Sequence, residues 1–350
     1  MLRRLELGGG AAARADHAVI RRAFSFTALL VVVVACLAAC TRGGFSARPR
    51  DAPGPDTTFD QFIQPDFGDA NCTTDGWCFA APPRLGMQLT AVWGAAPDDV
   101  YAVGRAGDVV HYDGKAWREV GAARVTNNDL NGLWGTSRSD VWAVGNFGTI
   151  VHFDGSDWSV VPQPGTLETL RAVWAAAPDA VFAVGDRGTV TRFDGNAWTA
   201  SQPTQQRLNG VWGLSPSEVY AVGDSGVVLR FDGNAWQSLA QPSVLTLSDV
   251  HGTTSNNIII AACGGSTLLH YDGATFTTLS SNVTSPLTSL WVIGDAEAYA
   301  VGLAGTVVRY DGKRWSPQDS GSSSALLAIW GAASGTLQVV GSDSAFLARR

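Results

Sequence analysis

The sequence is poor in charge, and what it lacks excludes several classes of protein. Only 16% of its 350 residues are charged, whereas 40 are glycine and 13 are tryptophan. This composition argues against a helical or disordered chain and predicts many short strands joined by tight turns. The net charge is −7, and the sequence contains no cluster of lysine and arginine. An acidic chain without a basic patch opposes the phosphate neutralisation that nucleic-acid binding requires, so binding of DNA or RNA is not expected.

The N-terminal apolar run is too short for a transmembrane helix. It extends over residues 28–39 after Arg21 and Arg22, whereas a spanning helix needs about 20 apolar residues. The pattern predicts a signal peptide over residues 1–39. The tetrapeptide that ends in Cys40 (Leu-Ala-Ala-Cys) resembles a bacterial lipobox, which implies acylation of Cys40 as the first mature residue. The alternative is that Cys40 merely ends the apolar segment, and the paired arginines leave Sec and Tat export both open.

Acyl chains on Cys40 would hold the protein on a membrane without crossing it. The expected location is the bacterial envelope, at the outer membrane or cell surface. Removal of residues 1–39 leaves 19 basic and 29 acidic side chains, a net charge of −10. Residues 40–70 are rich in proline, glycine, aspartate and arginine without hydrophobic periodicity, which predicts a disordered tether. The folded domain is predicted over residues 71–350.

Three cysteines lie in the predicted folded domain. Cys72 and Cys78 are close in sequence, and an exported chain favours a disulfide between them. Half of a metal site is the alternative, although no histidine or further cysteine lies near the pair in sequence. Cys263 is interpreted as replacing a repeated glycine and is expected to be buried. Neither a metal ion nor a cofactor is expected.

From residue 89 the sequence repeats with a period near 40, which predicts one supersecondary unit per copy. The first-strand position of the seven copies holds Trp93, Trp134, Trp174, Trp212, His251, Trp291 and Trp330. Further aromatic residues recur at fixed positions in each unit. Fixed spacing indicates that they pack one unit against the next, although a carbohydrate-stacking surface is the alternative. Asp-Gly pairs between apolar runs predict hairpins with type I′ turns.

The repeat predicts an all-β, seven-bladed β-propeller with four antiparallel strands per blade. The seventh unit ends at Arg350 before a fourth strand, and an unassigned strand around Trp77 precedes the first unit. We therefore expect the N-terminal strand to complete the last blade. Such closure pairs sheet edges that an open solenoid would leave exposed.

The repeat motifs also carry a family resemblance over residues 72–350. Units such as Val92-Trp-Gly94, Asp140-Val-Trp-Ala-Val-Gly145 and the His111-Tyr-Asp-Gly114 segment resemble bacterial exported propellers, often described as BNR-like or as lipoproteins. The resemblance implies the propeller fold but no particular chemistry, because propellers host unrelated functions. The Asp-box of sialidases is matched only in part, because the segment at Asp113 lacks its serine and the residue between aspartate and glycine.

No catalytic constellation emerges from the titratable residues. Histidines 111, 152, 251 and 270 occupy positions within predicted strands and are interpreted as strand residues rather than ligands. The recurring acids Asp99, Asp140, Asp179, Glu218 and Glu297 are interpreted as solvated turn carboxylates, and a cation-binding ring is the alternative. Ligand binding is expected instead at the turns from the second to the third strand, where residue types vary. The candidates there are Arg105, Asn146, Phe147, Asp186, Arg187, Asp224 and Ser225.

Three functional hypotheses follow from these features. The first is a non-catalytic binding or scaffold module for protein or glycan partners, expected to be monomeric. The alternative is an extracellular glycosidase- or lyase-like hydrolase that uses the propeller funnel, and a further alternative is an envelope assembly factor. The absence of a recognisable residue constellation favours the first.

Overall fold

A computed structural model describes residues 72–349, apart from gaps at 81–82, 84–85, 121–124, 240–243, 264–266 and 334. The signal peptide predicted over 1–39, the acylation site at Cys40 and the tether predicted over 40–70 lie outside the described residues. Within the described ranges the chain is all-β. No helix in this part of the chain is long and apolar enough to cross a bilayer.

Seven antiparallel sheets of four strands each form the blades of a propeller. The strands of blades 1–4 are β2 (Leu89–Ala96), β3 (Asp99–Gly104), β4 (Val109–Tyr112), β5 (Trp117–Glu119), β6 (Leu130–Ser137), β7 (Asp140–Gly145), β8 (Ile150–Phe153), β9 (Trp158–Val160), β10 (Leu170–Ala177), β11 (Ala180–Gly185), β12 (Val190–Phe193), β13 (Trp198–Ser201), β14 (Leu208–Ser215), β15 (Glu218–Gly223), β16 (Val228–Phe231) and β17 (Trp236–Ser238). Those of blades 5–7 are β18 (Leu247–Thr254), β19 (Asn257–Ala262), β20 (Thr267–Tyr271), β21 (Phe276–Ser280), β22 (Leu287–Gly294), β23 (Glu297–Gly302), β24 (Val307–Tyr310), β25 (Trp315–Gln318), β26 (Leu326–Gly331), β27 (Leu337–Gly341), β28 (Phe346–Arg349) and β1 (Trp77–Phe79).

The ring closes through the N-terminal strand, as predicted. β1 pairs antiparallel with β28, with Trp77 opposite Arg349, and completes a sheet of order β1-β28-β27-β26. The innermost strand β26 contacts its counterparts β22 and β2 on either side. Cys72 and Cys78 form the predicted disulfide next to the joining strand. The seven-bladed fold with a strand borrowed from the N-terminus is therefore confirmed.

Aromatic side chains pack each blade against the next. The ring of Tyr101 in blade 1 lies 5.7 Å from that of Phe153 and 5.8 Å from that of Trp158, both in blade 2 (centroid distances). Trp142 of blade 2 contacts two aromatic rings of blade 3 in the same way. Offset and edge-on aromatic contacts add stability beyond the area they bury. The interpretation of the fixed aromatic positions as core is confirmed.

Hydrogen bonds also join neighbouring innermost strands. Thr90 Oγ1 donates to the carbonyl oxygen of Leu130 at 2.5 Å, and Asn131 Nδ2 donates to that of Leu170 at 2.9 Å. The same bond recurs from Asn209 to Leu247, Ser248 to Leu287 and Thr288 to Leu326. A polar side chain in the second position of an innermost strand thus satisfies a buried carbonyl in the next blade.

The Asp-Gly hairpins form, but with a different turn from the one predicted. In blade 1 the loop covers residues 113–116, and Gly114 has φ +85° whereas Asp113 is not in the left-handed region. A type I′ turn needs positive φ at both central residues, so that assignment is wrong. The Asp113 carboxylate instead accepts the N–H groups of Lys115 and Ala116 at 3.0 and 2.9 Å. These bonds hold the pKa of Asp113 below its ordinary value.

Candidate functional site

The turns from second to third strand have a repeated three-residue form. The first residue is half-buried, the second has left-handed backbone dihedrals, and the third is a buried glycine. The four 3-10 turns of this form are Arg105–Gly107, Asn146–Gly148, Asp186–Gly188 and Asp224–Gly226. All seven candidate ligand residues lie in them. We call the end of the propeller formed by these turns and the links between blades the turn face.

Glycine at the third position lets each turn dock on the link that leads to the next blade. A Cβ on Gly148 would lie 2.1 Å from the carbonyl oxygen of Thr166 and 3.1 Å from Cα of Leu167. Gly107 and Gly188 approach Thr126 and Thr204 as closely. No larger residue fits such an approach, so each turn is fixed against its link.

The first residues of the turns are bound to neighbouring side chains. Oδ1 of Asp186 lies 2.6 Å from Nε of Arg171, which is only 9% exposed. Oδ2 of Asp224 lies 2.9 Å from a guanidinium nitrogen of Arg207, and the Asn146 amide oxygen accepts a hydrogen bond from an asparagine of β6. The two bonds to arginine are charge-assisted, and all three bonds fix the turns on the innermost strands or on the residue directly before one. Three of the seven candidates therefore stabilise the turn face itself.

The second residues present side chains to solvent. Phe147 is 71% exposed with φ +57°, and the side chain of Arg187 is 75% exposed with φ +53°. Ser225, with φ +57°, is also exposed. A left-handed conformation costs a non-glycine residue roughly 1–2 kcal/mol, and for a bulky residue it is uncommon. The fold thus maintains a large aromatic ring in water at a strained position.

Phe147 and Arg187 are joined by the link between blades 2 and 3. Leu167, 84% exposed, follows directly on the residue against which Gly148 packs. Its neighbour Glu168 lies 3.3 Å from a guanidinium nitrogen of Arg187. We call Phe147, Leu167, Glu168 and Arg187 the Phe147 patch. The patch combines two exposed apolar side chains, those of Phe147 and Leu167, with the exposed ion pair of Arg187 and Glu168.

Blade 5 departs from the repeat at this face. Ala262 pairs with Leu247 as Gly104 pairs with Leu89, so Ala262 and not Cys263 replaces the repeated glycine. The assignment of Cys263 to that position is wrong by one residue, although the expectation that Cys263 is buried is confirmed, at 1% exposure.

Arg105, the remaining candidate ligand residue, lies in the turn of blade 1 and is half-buried.

The centre of the ring holds little space. A cavity of about 70 Å³ is lined by residues from the innermost strands of all seven blades. The Trp134 ring projects into it, 5.9 Å from the ring of Trp291 and 6.4 Å from that of His251. Small-molecule sites usually have volumes of about 300–1,000 Å³, so this cavity is too small for a sugar or peptide.

An alanine in blade 3 accounts for the position of Trp134. In blade 1 the Trp93 ring packs on Gly135 of blade 2, where an added Cβ would lie 2.6 Å from the ring. Blade 3 carries Ala175 at the corresponding position, which leaves less room for the indole of the preceding blade. The Trp134 ring turns to the axis and donates its Nε1–H to the carbonyl oxygen of Ala175 at 3.2 Å.

The histidine in the fifth blade fits the same relationship. His251 replaces the tryptophan where the next blade carries Val292 instead of glycine. Its Nδ1 accepts the backbone N–H of Val292 at 3.3 Å. Burial lowers the pKa of His251 to about 3, so the imidazole is neutral at physiological pH. This histidine is a core residue, as the sequence indicated.

The other end of the blades carries a repeated pair of an acid with a histidine or an arginine. Nε2 of His111 lies 2.6 Å from Oδ1 of Asp99, and Nε2 of His152 lies 2.7 Å from Oδ1 of Asp140. Corresponding pairs join Arg230 to Glu218 at 3.4 Å and Arg309 to Glu297 at 3.1 Å. Asp99 and Asp140 are each only 6% exposed, so their interpretation as solvated turn carboxylates is wrong.

Blade 3 lacks this acid. β11 begins at Ala180, which takes the position that Asp140 and Glu218 occupy in blades 2 and 4. Asp179 lies one residue earlier and does not belong to the series, which corrects its assignment. Its backbone and Cβ face the turn glycine Gly195.

Electrostatics agree with a structural role for the pairs. Burial raises the pKa of Asp140, but hydrogen bonds from His152 and Thr136 outweigh it and the net pKa lies below the ordinary value. Burial, with Asp99 nearby, raises the pKa of Tyr101 to about 12. Within the described part of the chain, no three His, Cys, Asp or Glu side chains are grouped to hold a metal ion. The expectation of no cofactor stays a prediction.

Sequence reasoning missed several residues that matter at these sites. Leu167 and Glu168 lie in a link outside the repeated positions, so no repeat pattern marks them. Arg192 of blade 3 has no acid at the position that pairs with the basic residue in the neighbouring blades. This exception becomes visible when positions are counted from the first-strand tryptophan. That count gives Ala180 instead of Asp179 and could have identified the exception.

No protein-family model matches the chain, and no curated protein sequence matches it. Solved structures are similar in fold. YCF48 bound to a D1 peptide is 17% identical with a TM-score of 0.66, over 78% of this chain and 94% of that one. YCF48 from Cyanidioschyzon merolae is 17% identical with a TM-score of 0.64, over 79% and 99%. The WD40 β-propeller domain of Doa1 is 12% identical with a TM-score of 0.63, over 77% and 95%. At these identities the similarity establishes a shared propeller fold.

Proposed function

We propose that this chain is a lipid-anchored, non-catalytic binding module that recognises a protein segment through the Phe147 patch. The observation that carries the proposal is Phe147 itself, a phenylalanine held 71% exposed in a left-handed conformation. A strained, exposed aromatic ring has no benefit for folding, because it buries little surface and costs backbone energy. A partner that covers the ring would bury its apolar surface, and that burial would offset the backbone cost.

The patch has the chemistry of a protein contact. Aromatic rings and arginine are enriched among the residues that dominate binding energy at interfaces. Leu167 extends the apolar surface, and Arg187 adds a cation beside it that Glu168 balances only in part, at 3.3 Å and in contact with water. A segment with an apolar side chain followed by an acidic one fits this arrangement.

The fold comparison supports the class of partner. YCF48, which shares the propeller fold, is described as bound to a D1 peptide. A peptide ligand is therefore compatible with a scaffold of this shape. The central cavity of about 70 Å³ supports a surface site over a catalytic funnel, because a substrate would not fit inside it.

Peptide display tests the proposal directly. The full chain is immobilised, and a library of random peptides is selected for binding to it. We expect enriched peptides to combine an apolar and an acidic residue. Binding of these peptides should fall at least about tenfold in the double variant Phe147→Ser, Leu167→Ser, because each apolar anchor contributes roughly 1–3 kcal/mol when covered.

The matched control is Leu214→Ser, at the opposite end of blade 4. Leu214 is also apolar and 36% exposed, but lies near the end of β14, next to the turn from first to second strand. It should leave peptide binding unchanged. Peptides that bind all three proteins equally, or a library without enrichment, would overturn the proposal, as would selective retention of glycans instead of peptides on the same patch.

Attachment to the membrane through Cys40 is a separate part of the proposal. It is supported by the lipobox-like Leu-Ala-Ala-Cys sequence after the apolar run. Two or more acyl chains give stable anchoring without a spanning helix. Metabolic labelling with palmitate should label the wild-type chain and not Cys40→Ser, and the variant should leave the membrane fraction. Equal labelling of both proteins would refute acylation at this residue.

A further inference from the structure

Blade 3 keeps the basic residue of this repeated pair, here an arginine, but not its partners. In blade 4, Arg230 pairs with Glu218, and the hydroxyl of Tyr220 donates to the same carboxylate at 2.9 Å. In blade 3 the corresponding residues are Arg192, Ala180 and Phe182. Both the carboxylate and the phenol hydroxyl are therefore replaced by groups that cannot bond to a guanidinium.

Arg192 is held by aromatic rings instead of an acid. Its guanidinium carbon lies 5.3 Å from the ring centroids of Phe182 and Phe231. Cation–π contacts of this kind use the flat face of the guanidinium and leave the N–H groups at its edge available. Among the described residues no acid lies within ion-pair distance of Arg192. Its Nε is buried without a hydrogen-bond partner, as are those of Arg230 and Arg309, so a ligand would meet the terminal guanidinium nitrogens.

The arginine lines a groove between the outer strands of blades 3 and 4. The groove has a volume of about 530 Å³, within the usual range of small-ligand sites. Phe231, Trp236, Val190 and Pro203 provide apolar walls beside Arg192. The rest of the lining is polar and includes Thr199, Ser201 and Asn234. A charged donor beside an apolar wall matches a ligand that has one acidic end and one apolar end.

An aspartate at the groove does not neutralise the arginine. Asp194 lines the same groove, but its Oδ1 accepts the N–H groups of Asn196 and Ala197 at 2.9 and 3.0 Å. It belongs to the exposed Asp-Gly turn and makes no ion pair with Arg192 within the described ranges. The backbone hydrogen bonds, and to a smaller extent the nearby charge of Arg192, hold the pKa of Asp194 below its ordinary value. Its charge weakens the attraction for an anion without closing the site.

We propose that the groove between blades 3 and 4 binds a carboxylate attached to an apolar or aromatic group, with Arg192 as the residue that binds the carboxylate. Arginine suits this role because its planar N–H fork matches a carboxylate in a bidentate geometry. A chain-terminal carboxylate and an acidic side chain offer the same chemistry. The groove shares no lining residue with the Phe147 patch, but the two are neighbours, because Gln202 of the groove donates a hydrogen bond to the backbone carbonyl oxygen of Arg187. Each site is therefore tested with its own variants.

Three small probes separate these possibilities. N-acetyl-L-phenylalanine carries a terminal carboxylate, N-acetyl-L-aspartyl-L-phenylalaninamide carries a side-chain carboxylate, and N-acetyl-L-phenylalaninamide carries neither. Ligand-observed NMR titration of the full chain gives their affinities. We expect at least one acidic probe to bind about 10- to 100-fold more tightly than the neutral amide, the range for hydrogen bonds to a charged group.

Two variants remove the site in different ways. Arg192→Gln deletes the cation, and Ala180→Glu restores the acid of the other blades, so that Arg192 becomes paired within the protein. Both should abolish the preference for the acidic probe. Arg230→Gln is the matched control, because Arg230 already has an acid partner, and it should keep the preference.

The acidic probe that binds more tightly identifies the kind of ligand, and several results would overturn the proposal. Preference for the terminal acid alone assigns a chain end, and preference for the aspartyl probe alone assigns a side chain. Equal affinity of wild type for acidic and neutral probes, or no binding of any, refutes the site. An acid preference that survives in folded Ala180→Glu or Arg192→Gln refutes the role of Arg192. The wild-type comparison holds even where a variant does not fold.

Discussion

Replacement of Trp77 by alanine tests the closure of the ring. Trp77 is 0% exposed and contacts the Tyr299 ring edge-on, at 6.2 Å between centroids. It packs among apolar residues of blades 6 and 7, including Val301 and Leu347. The indole nitrogen has no hydrogen-bond partner, so the substitution loses packing and no polar contact. Removal of a buried tryptophan costs about 3–5 kcal/mol, and we expect that loss in the free energy of unfolding of Trp77→Ala.

The measurement is urea unfolding of the full chain, followed by far-UV circular dichroism. Phe79→Ala is the matched control from the same strand, because Phe79 is 39% exposed and should cost only about 1–2 kcal/mol. Hydrogen exchange adds a local readout. Loss of β1 leaves β28 as an edge strand. Amides of Phe346–Arg349 should therefore exchange faster in Trp77→Ala than in the wild type, whereas those of the innermost strands should change less.

Two results would refute this reasoning. Equal destabilisation by Trp77→Ala and Phe79→Ala would mean that burial at the joint does not carry the closure. Unchanged protection of β28 in Trp77→Ala would mean that the last blade is complete without the N-terminal strand.

Three further predictions concern the centre of the ring and the end of the blades opposite the turn face. Gly135→Ala should lower the free energy of unfolding by about 1–3 kcal/mol, because its Cβ would lie 2.6 Å from the Trp93 ring. In the control Gly294→Ala the added Cβ would have no atom within 4 Å, so its free energy of unfolding in urea should stay within about 0.5 kcal/mol of the wild type. The pKa of His251 in the folded state is about 3, below its ordinary 6.5, so the unfolded chain binds the extra proton and stability should fall as pH drops from 6.5 towards 3. His251→Gln should lack this dependence, and parallel pH profiles of the two proteins would contradict the assignment. The pKa of Asp140 lies below its ordinary 3.8, so the stabilisation by its carboxylate is present above pH 3.8 and is lost as pH falls through the folded-state pKa. The difference in unfolding free energy between the wild type and Asp140→Asn should therefore narrow in that range. A difference that stays constant would contradict the assignment.

Much of the fold follows from sequence spacing alone. The repeat of about 40 residues, the aromatic positions and the Asp-Gly pairs each recur because one unit must pack on the next. The spacing of Trp77 before Trp93 even located the strand that completes the last blade. The turn type at Asp113 was missed, because hydrogen bonds from Lys115 and Ala116 to its carboxylate select a four-residue loop, and spacing does not report such bonds.

The binding residues were only partly accessible from sequence. Phe147 and Arg187 were identified because they vary within a repeated turn, but Asp186 and Asp224 look equally variable and turn out to be bound to Arg171 and Arg207. Arg171 lies in the innermost strand β10 and Arg207 directly before β14, and they are 15 and 17 residues from their partners in sequence. Only the folded turn shows which polar side chains are already satisfied.

By itself the sequence determined the number of blades, the strand order and the core aromatic positions, because these depend on local periodicity and on the need to bury each unit against its neighbour. Tertiary structure decided which residues remain available for a partner. Phe147 stays in water, Trp134 turns into the central cavity beside Ala175, and Arg192 packs on two phenylalanine rings without an acid in ion-pair distance. Availability depends on contacts between neighbouring strands and blades, and a linear pattern of residue types does not contain those contacts.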